Sequence, residues 1–245
     1  MTRYGRLALV GGAALLTAAA FPDAALAQEA AGAAENGLSV RVVQLFLLVT
    51  VLSLAPGLAM MITCLPFMVI VFSILRQAIG LQSSPPNMFI MSLALFLTYF
   101  VMEPVFTEAW RSGVAPLLEN TVTEAQAFER ALAPFRTFMD ARVSPVAIDA
   151  LADVAPDRMG PDGEPALSLL VPAFMLSEIQ HAFQVGFVIF LPFLIIDLIV
   201  ASILMAMGMM MVPPAIVSLP FKLAFFVLAN GWVEIAGAVV KGYGG

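Results

Sequence analysis

Three charged residues lie inside apolar stretches of the chain, Glu178, Asp197 and Lys222. A charge in lipid costs about 2.5–3.5 kcal/mol on insertion scales unless it is paired or wetted. A carboxylate and an ammonium group invite pairing, and we favour a pair between Glu178 and Lys222, within one chain or between neighbouring copies. Such a pair would fix assembly without doing chemistry. The alternative is a proton or ion relay through these groups.

A second group of residues with a distinctive composition is a methionine cluster. Five methionines crowd one short stretch that surrounds Gly208 and precedes Pro213 and Pro214: Met205, Met207, Met209, Met210 and Met211. Methionine is flexible and polarisable, so such a cluster can close a hole and repack around something that passes through it. Ordinary core packing explains the same residues, whereas a deformable apolar seal requires a ring of several copies.

The sequence motifs that catalysis or cofactor binding would require are absent from the chain. The chain has no phosphate-binding loop, no dinucleotide fingerprint, no metal-ligand spacing and no nucleophile paired with a base, so we expect neither catalytic residues nor a cofactor. The single His181 cannot by itself build a metal site, and the single Cys64 excludes an intrachain disulfide. The net charge of −6 comes without a basic cluster, which argues against a nucleic-acid partner.

The composition indicates a membrane protein. Of the 245 residues, 61% are hydrophobic and 11% are charged. Soluble domains have about 45–50% apolar and about 25% charged residues. A soluble core of this size cannot hide so much apolar surface.

The N-terminus has the pattern of a cleaved signal peptide. Arg3 and Arg6 precede an apolar stretch over residues 7–20, and a small-residue cleavage site ends at Ala27. We therefore predict a signal peptide over residues 1–27, followed by a disordered leader over residues 28–41. The mature N-terminus would then lie outside the cytoplasm.

Four apolar regions follow, and their lengths and prolines predict an all-α membrane protein built from kinked helical hairpins. The first hairpin region covers residues 42–105. Its first part, 42–75, is interrupted by Pro56 and Pro66 and is either one kinked helix or a hairpin. The second hairpin region covers residues 167–241, contains Pro192 and the methionine cluster, and is followed by a short tail over 242–245.

Residues 106–166 are polar and separate the two apolar halves. Residues 123–140 have the spacing of an amphipathic helix, with an apolar stripe at Phe128, Leu132, Phe135 and Met139. Thr123 and Gln126 have the spacing of a capping box. Counting crossings from an outside N-terminus places this small helical domain outside the cytoplasm.

The second apolar half also carries a family resemblance. The stretches Val171–Phe187 (VPAFMLSEIQHAFQVGF), Phe190–Met211 (FLPFLIIDLIVASILMAMGMMM) and Leu219–Leu223 (LPFKL) resemble the FliP family, whose injectisome relatives are the SctR proteins. Upstream, the resemblance continues in the segments LAP, LRQAIG, SPPN and LFLTYFVM, which begin at Leu54, Leu75, Ser84 and Leu95.

The resemblance implies a structural, channel-forming subunit of the flagellar type III protein export gate. Such a subunit assembles with copies of itself and with FliQ-like and FliR-like proteins in the basal body, in the bacterial inner membrane. Unfolded flagellar proteins pass through the gate. The resemblance further implies a methionine seal at Met209, Met210 and Met211, with Met205 and Met207 nearby, and an inter-subunit ion pair between Glu178 and Lys222.

A competing hypothesis is an intramembrane ion or solute transporter. It would use Asp197 and Glu178 as relay groups and would need no partner proteins. A membrane enzyme is a more remote alternative, because nucleophile and metal constellations are missing from the sequence.

Overall fold

The computed structural model describes residues 41–50, 53–54, 57, 60–81, 85–209 and 211–243. The predicted signal peptide and all but the last residue of the predicted leader lie outside these residues. Over the described part of the chain the regular structure is helical, apart from one isolated β-bridge between Met159 and Pro165. The predicted all-α class is therefore confirmed at this level.

The chain divides into two compact units, Met1–Pro56 and Gly57–Gly245. The first contains the apolar helix α1, Arg41–Thr50. The α-helices of the second unit are α2 (Leu65–Ile79), α3 (Asn87–Ala109), α4 (Ala115–Leu118), α5 (Glu124–Asp140), α6 (Pro145–Ala152), α7 (Leu167–Ala206), α8 (Pro214–Leu228) and α9 (Gly231–Lys241). A π-helical turn, Trp110–Val114, joins α3 to α4.

Two of these helical segments are long and apolar enough to cross a membrane. They are Asn87–Leu118, which contains α3 and its continuation, and the 40-residue helix α7. Helices α8 and α9 qualify only as a pair, bent by 62° at their junction. The described residues thus offer two membrane spans, or three if the bent pair is one span.

The predicted interruption of the first apolar region at Pro66 is found as a short non-helical segment just before α2. Residues 62–64 are not helical, and Pro66 lies in the first turn of α2. A proline is tolerated there because its missing N–H would have no partner in the helix. Pro66 therefore begins a helix, and Pro56 lies outside the described residues.

The third apolar region is one uninterrupted helix. Helix α7 continues through Pro172 and Pro192, although each removes a backbone hydrogen bond. Forty residues of helix measure about 60 Å, roughly twice the apolar thickness of a bilayer. The fourth region, in contrast, breaks at Asn230, which has a left-handed backbone with φ of 48°. The sequence pattern does not predict that break.

The amphipathic helix is confirmed as α5, and its capping box is present. The Gln126 amide donates to the Thr123 hydroxyl at 3.4 Å, and the Thr123 amide donates to the Gln126 side chain at 3.2 Å. The predicted apolar stripe is only partly correct, because Met139 is buried whereas Phe128 is 68% exposed. The small residue Ala127 is buried in its place, where α5 crosses the π-helical turn at Gly113.

Helix α2 forms the centre of the second unit. Its residues Met68, Val71, Phe72, Leu75 and Ala78 are fully buried, mainly beneath α3 and α7. Helices α8 and α9 add Phe226, Trp232 and Val239 to the same core. The C-terminal end of α2 thus lies beside α8, where one of the predicted site residues is found.

Candidate functional site: two ion-pair clusters and a methionine turn

Helix α7 carries both of the predicted intramembrane carboxylates. Glu178 and Asp197 are 19 residues apart, which corresponds to about 28 Å along the helix. A single lysine on the neighbouring helix α8 can therefore bond to only one of them within the same chain.

Lys222 bonds to Asp197. Its Nζ donates to Oδ2 of Asp197 at 2.6 Å and to the backbone carbonyl of Ala78 at 3.1 Å. The buried Ser218, one turn earlier on α8, donates to Oδ1 of the same carboxylate at 2.6 Å. The predicted pair of Glu178 with Lys222 is therefore wrong within one chain, while its inter-subunit form stays a prediction.

The backbone explains why Lys222 reaches α2. Gly80 has a φ of 91°, and a Schellman motif ends α2: the amides of Gly80 and Leu81 donate to the carbonyls of Gln77 and Arg76. The neighbouring carbonyl of Ala78 accepts from Lys222 instead. A cation at a helix C-terminus is also favoured by the helix dipole.

Glu178 belongs to a different cluster. Its side chain is 1% exposed, and its Oε1 accepts from Nε of Arg142 at 2.9 Å. The Tyr243 hydroxyl donates to the other carboxylate oxygen. The Arg142 guanidinium lies 3.7 Å above the Tyr243 ring and donates to the Gly242 carbonyl at 3.2 Å.

This Glu178 cluster joins three separate parts of the unit. Glu178 comes from α7, Arg142 follows the end of α5, and Tyr243 follows the end of α9. Burial and the adjacent carboxylate raise the pKa of Tyr243 above its ordinary value, so its hydroxyl remains a neutral donor. The cluster therefore fastens the C-terminal end of the described chain to the polar region and to α7.

Sequence reasoning missed Arg142, Tyr243 and Ser218 as members of these clusters. Arg142 and Tyr243 are 36 and 65 residues from Glu178, and no local pattern indicates either contact. Ser218 could have been found, because it precedes Lys222 by four residues and therefore lies on the same face of a helix.

An open cavity of about 430 Å³ lies beside the Glu178 cluster, between α7 and α9. Apolar side chains such as Val185, Ile189 and Val239 line most of it, and Arg142 and His181 lie on its polar side. The His181 ring packs edge-on against Phe67, at 5.7 Å between centroids. Within the described ranges, no three His, Cys, Asp or Glu side chains are placed to hold a metal ion.

The methionine cluster forms the turn between α7 and α8, which we call the methionine turn (Met205–Met211). Gly208 has a φ of 73° and forms a Schellman motif at the end of α7, since the amides of Gly208 and Met209 donate to the carbonyls of Met205 and Leu204. The described methionines are exposed: Met205, Met207, Met209 and, at 97%, Met211. Met210 lies outside the described residues.

Core packing within one chain therefore does not explain these methionines. Their side chains extend from a turn that its own backbone bonds stabilise, and they contribute little to the core of the unit. What the arrangement offers is an exposed apolar surface at the end of the helical hairpin that also carries the Asp197–Lys222 pair.

Comparison with known proteins agrees with this architecture. The model of the FliP family matches residues 48–239. A flagellar biosynthetic protein FliP from Agrobacterium fabrum is 49% identical, with 85% of this chain and 86% of the relative aligned. The protein of that name from Caulobacter vibrioides is 46% identical over 97% of this chain and 91% of its own length.

A more distant relative gives the same result. The flagellar biosynthetic protein FliP of Bacillus subtilis is 43% identical, and the alignment covers 82% of this chain and 91% of the relative. Identity of this level over most of both chains, together with the family match, leaves one assignment: the chain belongs to the FliP family.

Proposed function

We propose that this chain is a structural, channel-forming subunit of the flagellar type III protein export gate, required for export of flagellar proteins and for flagellum assembly. The family match over residues 48–239 carries the proposal. The relatives at 43–49% identity are all named as flagellar biosynthetic proteins.

The surface of the single chain supports a subunit that is completed by lipid or by neighbours. Large apolar side chains on both long helices are exposed, among them Phe96 and Phe100 on α3 and Phe187, Val188 and Leu198 on α7. Exposed apolar surface of this extent marks a membrane or protein interface. The same surface suits assembly with further copies and with FliQ-like and FliR-like proteins.

In this proposal the methionine turn forms the seal of the channel. Several copies arranged around one axis would bring Met205, Met207, Met209, Met210 and Met211 of each copy together. Long unbranched thioether side chains can close an apolar constriction and still repack around an unfolded protein in transit. The exposure of Met205, Met207, Met209 and Met211 in the single chain leaves these side chains available for that role.

We further place the protein in the bacterial inner membrane, as a multi-pass component of the flagellar basal body. The two or three helical segments of sufficient length and apolarity support membrane insertion. The proposal includes a signal peptide cleaved after Ala27, a leader over residues 28–41 and a polar domain over residues 106–166 outside the cytoplasm. The hairpin regions then cover residues 42–105 and 167–241.

The alternative of a relay-type transporter is not supported. The relatives carry names of flagellar biosynthesis. Asp197 and Glu178 are bound to Lys222 and Arg142, and this arrangement suits a structural role better than proton transfer. The paired charges thus support a structural function.

Native mass spectrometry tests the assembly. The tagged chain is co-expressed with the FliQ-like and FliR-like proteins of the same genome and extracted in mild detergent. We expect a discrete complex that contains several copies of this chain and both partners. A stable monomer that binds neither partner would contradict the proposal.

A leak assay tests the seal. The purified complex is reconstituted into liposomes that contain a fluorescent dye, and Met209, Met210 and Met211 are replaced by Ala. We expect faster dye release than from the unchanged complex. Met88→Ala is the matched control, because Met88 is an exposed methionine at the start of α3, far along the chain from the turn. Equal release from all three complexes would exclude a methionine seal.

A further inference from the structure

The methionine turn has little packing of its own, so its position depends on the hairpin that carries it. Between the turn and the Asp197–Lys222 pair, α7 and α8 line an open apolar cleft of about 360 Å³. Its lining has no polar surface and includes Val200, Leu204, Met207, Val217 and Phe221. This part of the hairpin is incompletely filled, and close packing alone does not fix the two helices there.

The first specific polar contact below the cleft is the Asp197–Lys222 pair. Asp197 lies ten residues before Met207, and Lys222 lies eleven residues after Met211, so the pair is about 15 Å from the turn on each helix. Ser218 adds a second bond from α8 to the same carboxylate. Two donors on α8 thus converge on one acceptor on α7.

The same pair also connects the hairpin to the core. Lys222 donates to the Ala78 carbonyl at the end of α2, whose own residues are the most deeply buried of the unit. Next to this contact, Gly80 faces Leu219: an added Cβ would lie 3.4 Å from the leucine side chain, an ordinary van der Waals distance. Lys222 is therefore bonded at once to α7 and to α2.

We propose that Asp197 and Lys222 are the positioning residues of the methionine turn: their bond fixes the register of the α7–α8 hairpin, and the bond to Ala78 fixes the hairpin on α2. This inference rests on the proposed function, in which the turn forms the seal. Within one chain, it assigns Asp197 as the carboxylate that Lys222 needs.

The physical reason is the difference between apolar and ionic contacts. Apolar side chains on two helices can exchange neighbours when one helix slides by a turn, about 5.4 Å, because hydrophobic contacts are not directional. A buried ammonium group cannot follow, since it would lose its carboxylate and remain unpaired. The pair therefore excludes shifted registers that the apolar cleft would tolerate.

Dye release from liposomes that contain the complex of this chain with its FliQ-like and FliR-like partners tests the inference. We expect Asp197→Asn and Lys222→Met each to raise the release rate severalfold per assembled complex. The fold increase in release rate for the double variant should be at least about threefold smaller than the product of the two single fold increases, because the two groups act as one pair. Lys222→Arg keeps a cationic donor and should leak less than Lys222→Met.

Measuring the amount of assembled complex distinguishes a purely structural effect from a positioning effect. Loss of stability lowers the amount of assembled complex, whereas a displaced turn raises the release per complex. If the single variants do not assemble, Ser218→Ala carries the test, since it removes one bond to Asp197 and leaves both charges. We then expect a smaller but measurable rise in release.

Two results would overturn the inference. One is normal release from variants of Asp197, Ser218 and Lys222 that assemble in normal amounts, while the alanine variant of Met209–Met211 leaks. The other is coupling of Lys222→Met with Glu178→Gln in place of Asp197→Asn. If the methionine variant itself does not leak, the proposed seal fails, and that outcome is distinguished from failure of the positioning role.

Discussion

Arg142→Met removes the cation from the buried Glu178 cluster and keeps most of the side-chain length. The change breaks the bond of 2.9 Å from Nε to the Glu178 carboxylate and the bond of 3.2 Å to the Gly242 carbonyl. It also removes the guanidinium from the face of the Tyr243 ring. The Tyr243 hydroxyl then remains as the partner that the cluster supplies to the carboxylate.

The burial of the pair determines the size of the effect. The side chains of Arg142 and Glu178 are 15% and 1% exposed, so solvent cannot replace the lost partner without opening the structure. Removal of one member of a buried ion pair costs about 3–5 kcal/mol. We expect Arg142→Met to lower the free energy of unfolding by this amount, and Glu178→Gln by less, because its amide oxygen can still accept from Tyr243.

Arg136→Met is the matched control. Arg136 is another arginine of the α5 region, but its carboxylate partners are exposed: it pairs with Glu164 at 3.1 Å and Asp140 at 3.6 Å, and it also donates to the Pro165 carbonyl at 2.8 Å. Exposed ion pairs contribute about 0–1 kcal/mol. We therefore expect the control to cost less than about 1 kcal/mol, even though both variants lose one positive charge.

Urea unfolding of the purified chain in mild detergent measures these differences. Trp232 packs against Phe226 at 5.4 Å and Phe72 at 6.5 Å between ring centroids, so its fluorescence reports on the core. A Trp110→Phe background removes the signal of the other tryptophan, which is exposed. The double variant of Arg142 and Glu178 completes a double-mutant cycle, with an expected coupling of about 0.5–3 kcal/mol.

The reasoning is refuted if Arg142→Met costs no more than Arg136→Met, or if Arg142 and Glu178 show no coupling. Either result would mean that the carboxylate of Glu178 does not depend on Arg142. The inter-subunit pairing of Glu178 with Lys222 would then become the better account of that buried charge.

Three further substitutions test the packing of the unit by the same urea unfolding. Gly231→Ala should cost about 1–3 kcal/mol, because its Cβ would lie 2.1 Å from the Phe226 ring. The control Gly237→Ala, in the same helix, places a Cβ that meets nothing within 4 Å and should be neutral or slightly stabilising. Equal effects of the two substitutions would contradict the close approach at Gly231. Gly113→Ala should also cost about 1–3 kcal/mol, because its Cβ would lie 2.6 Å from a backbone oxygen of α5; an unchanged midpoint would exclude this tight crossing. Thr123→Ala should cost about 1 kcal/mol through loss of the capping box, and no change would show that the cap is replaced by water.

Local patterns predicted the helical class and several elements well. The capping box at Thr123 and the helix that it begins require only contacts between residues a few positions apart, so the sequence contains all the necessary information. The long apolar stretch of α7 is likewise predictable as a helix, because an apolar segment in lipid must satisfy its own backbone hydrogen bonds.

Prolines were weaker guides to where helices end. Pro66 lies in the first turn of α2, after a short non-helical segment, and Pro192 lies inside α7 without ending it. The actual break in the last region is at Asn230, where the chain turns by 62°. Neighbouring helices decide whether a lost hydrogen bond is tolerated, and that information is not local.

The contacts of the candidate site also fall into those that the local sequence predicts and those that it does not. Asp197 and Lys222 lie thirteen residues before and twelve residues after Met210, so a hairpin that turns near Gly208 places them side by side. Counting residues on either side of the turn therefore predicts that pairing, once the position of the turn is known. Arg142 and Tyr243 could not be assigned to Glu178, because their contacts join segments 36 and 65 residues apart.

By itself, then, the sequence determined that the chain is helical and apolar, that Glu178, Asp197 and Lys222 carry charge inside apolar stretches, and where the methionines cluster, because hydropathy and helix capping depend on near neighbours in the chain. Only the tertiary structure decided which charges meet. The rotation of each helix about its axis and the direction of each turn set those contacts, and both result from packing between elements distant in sequence.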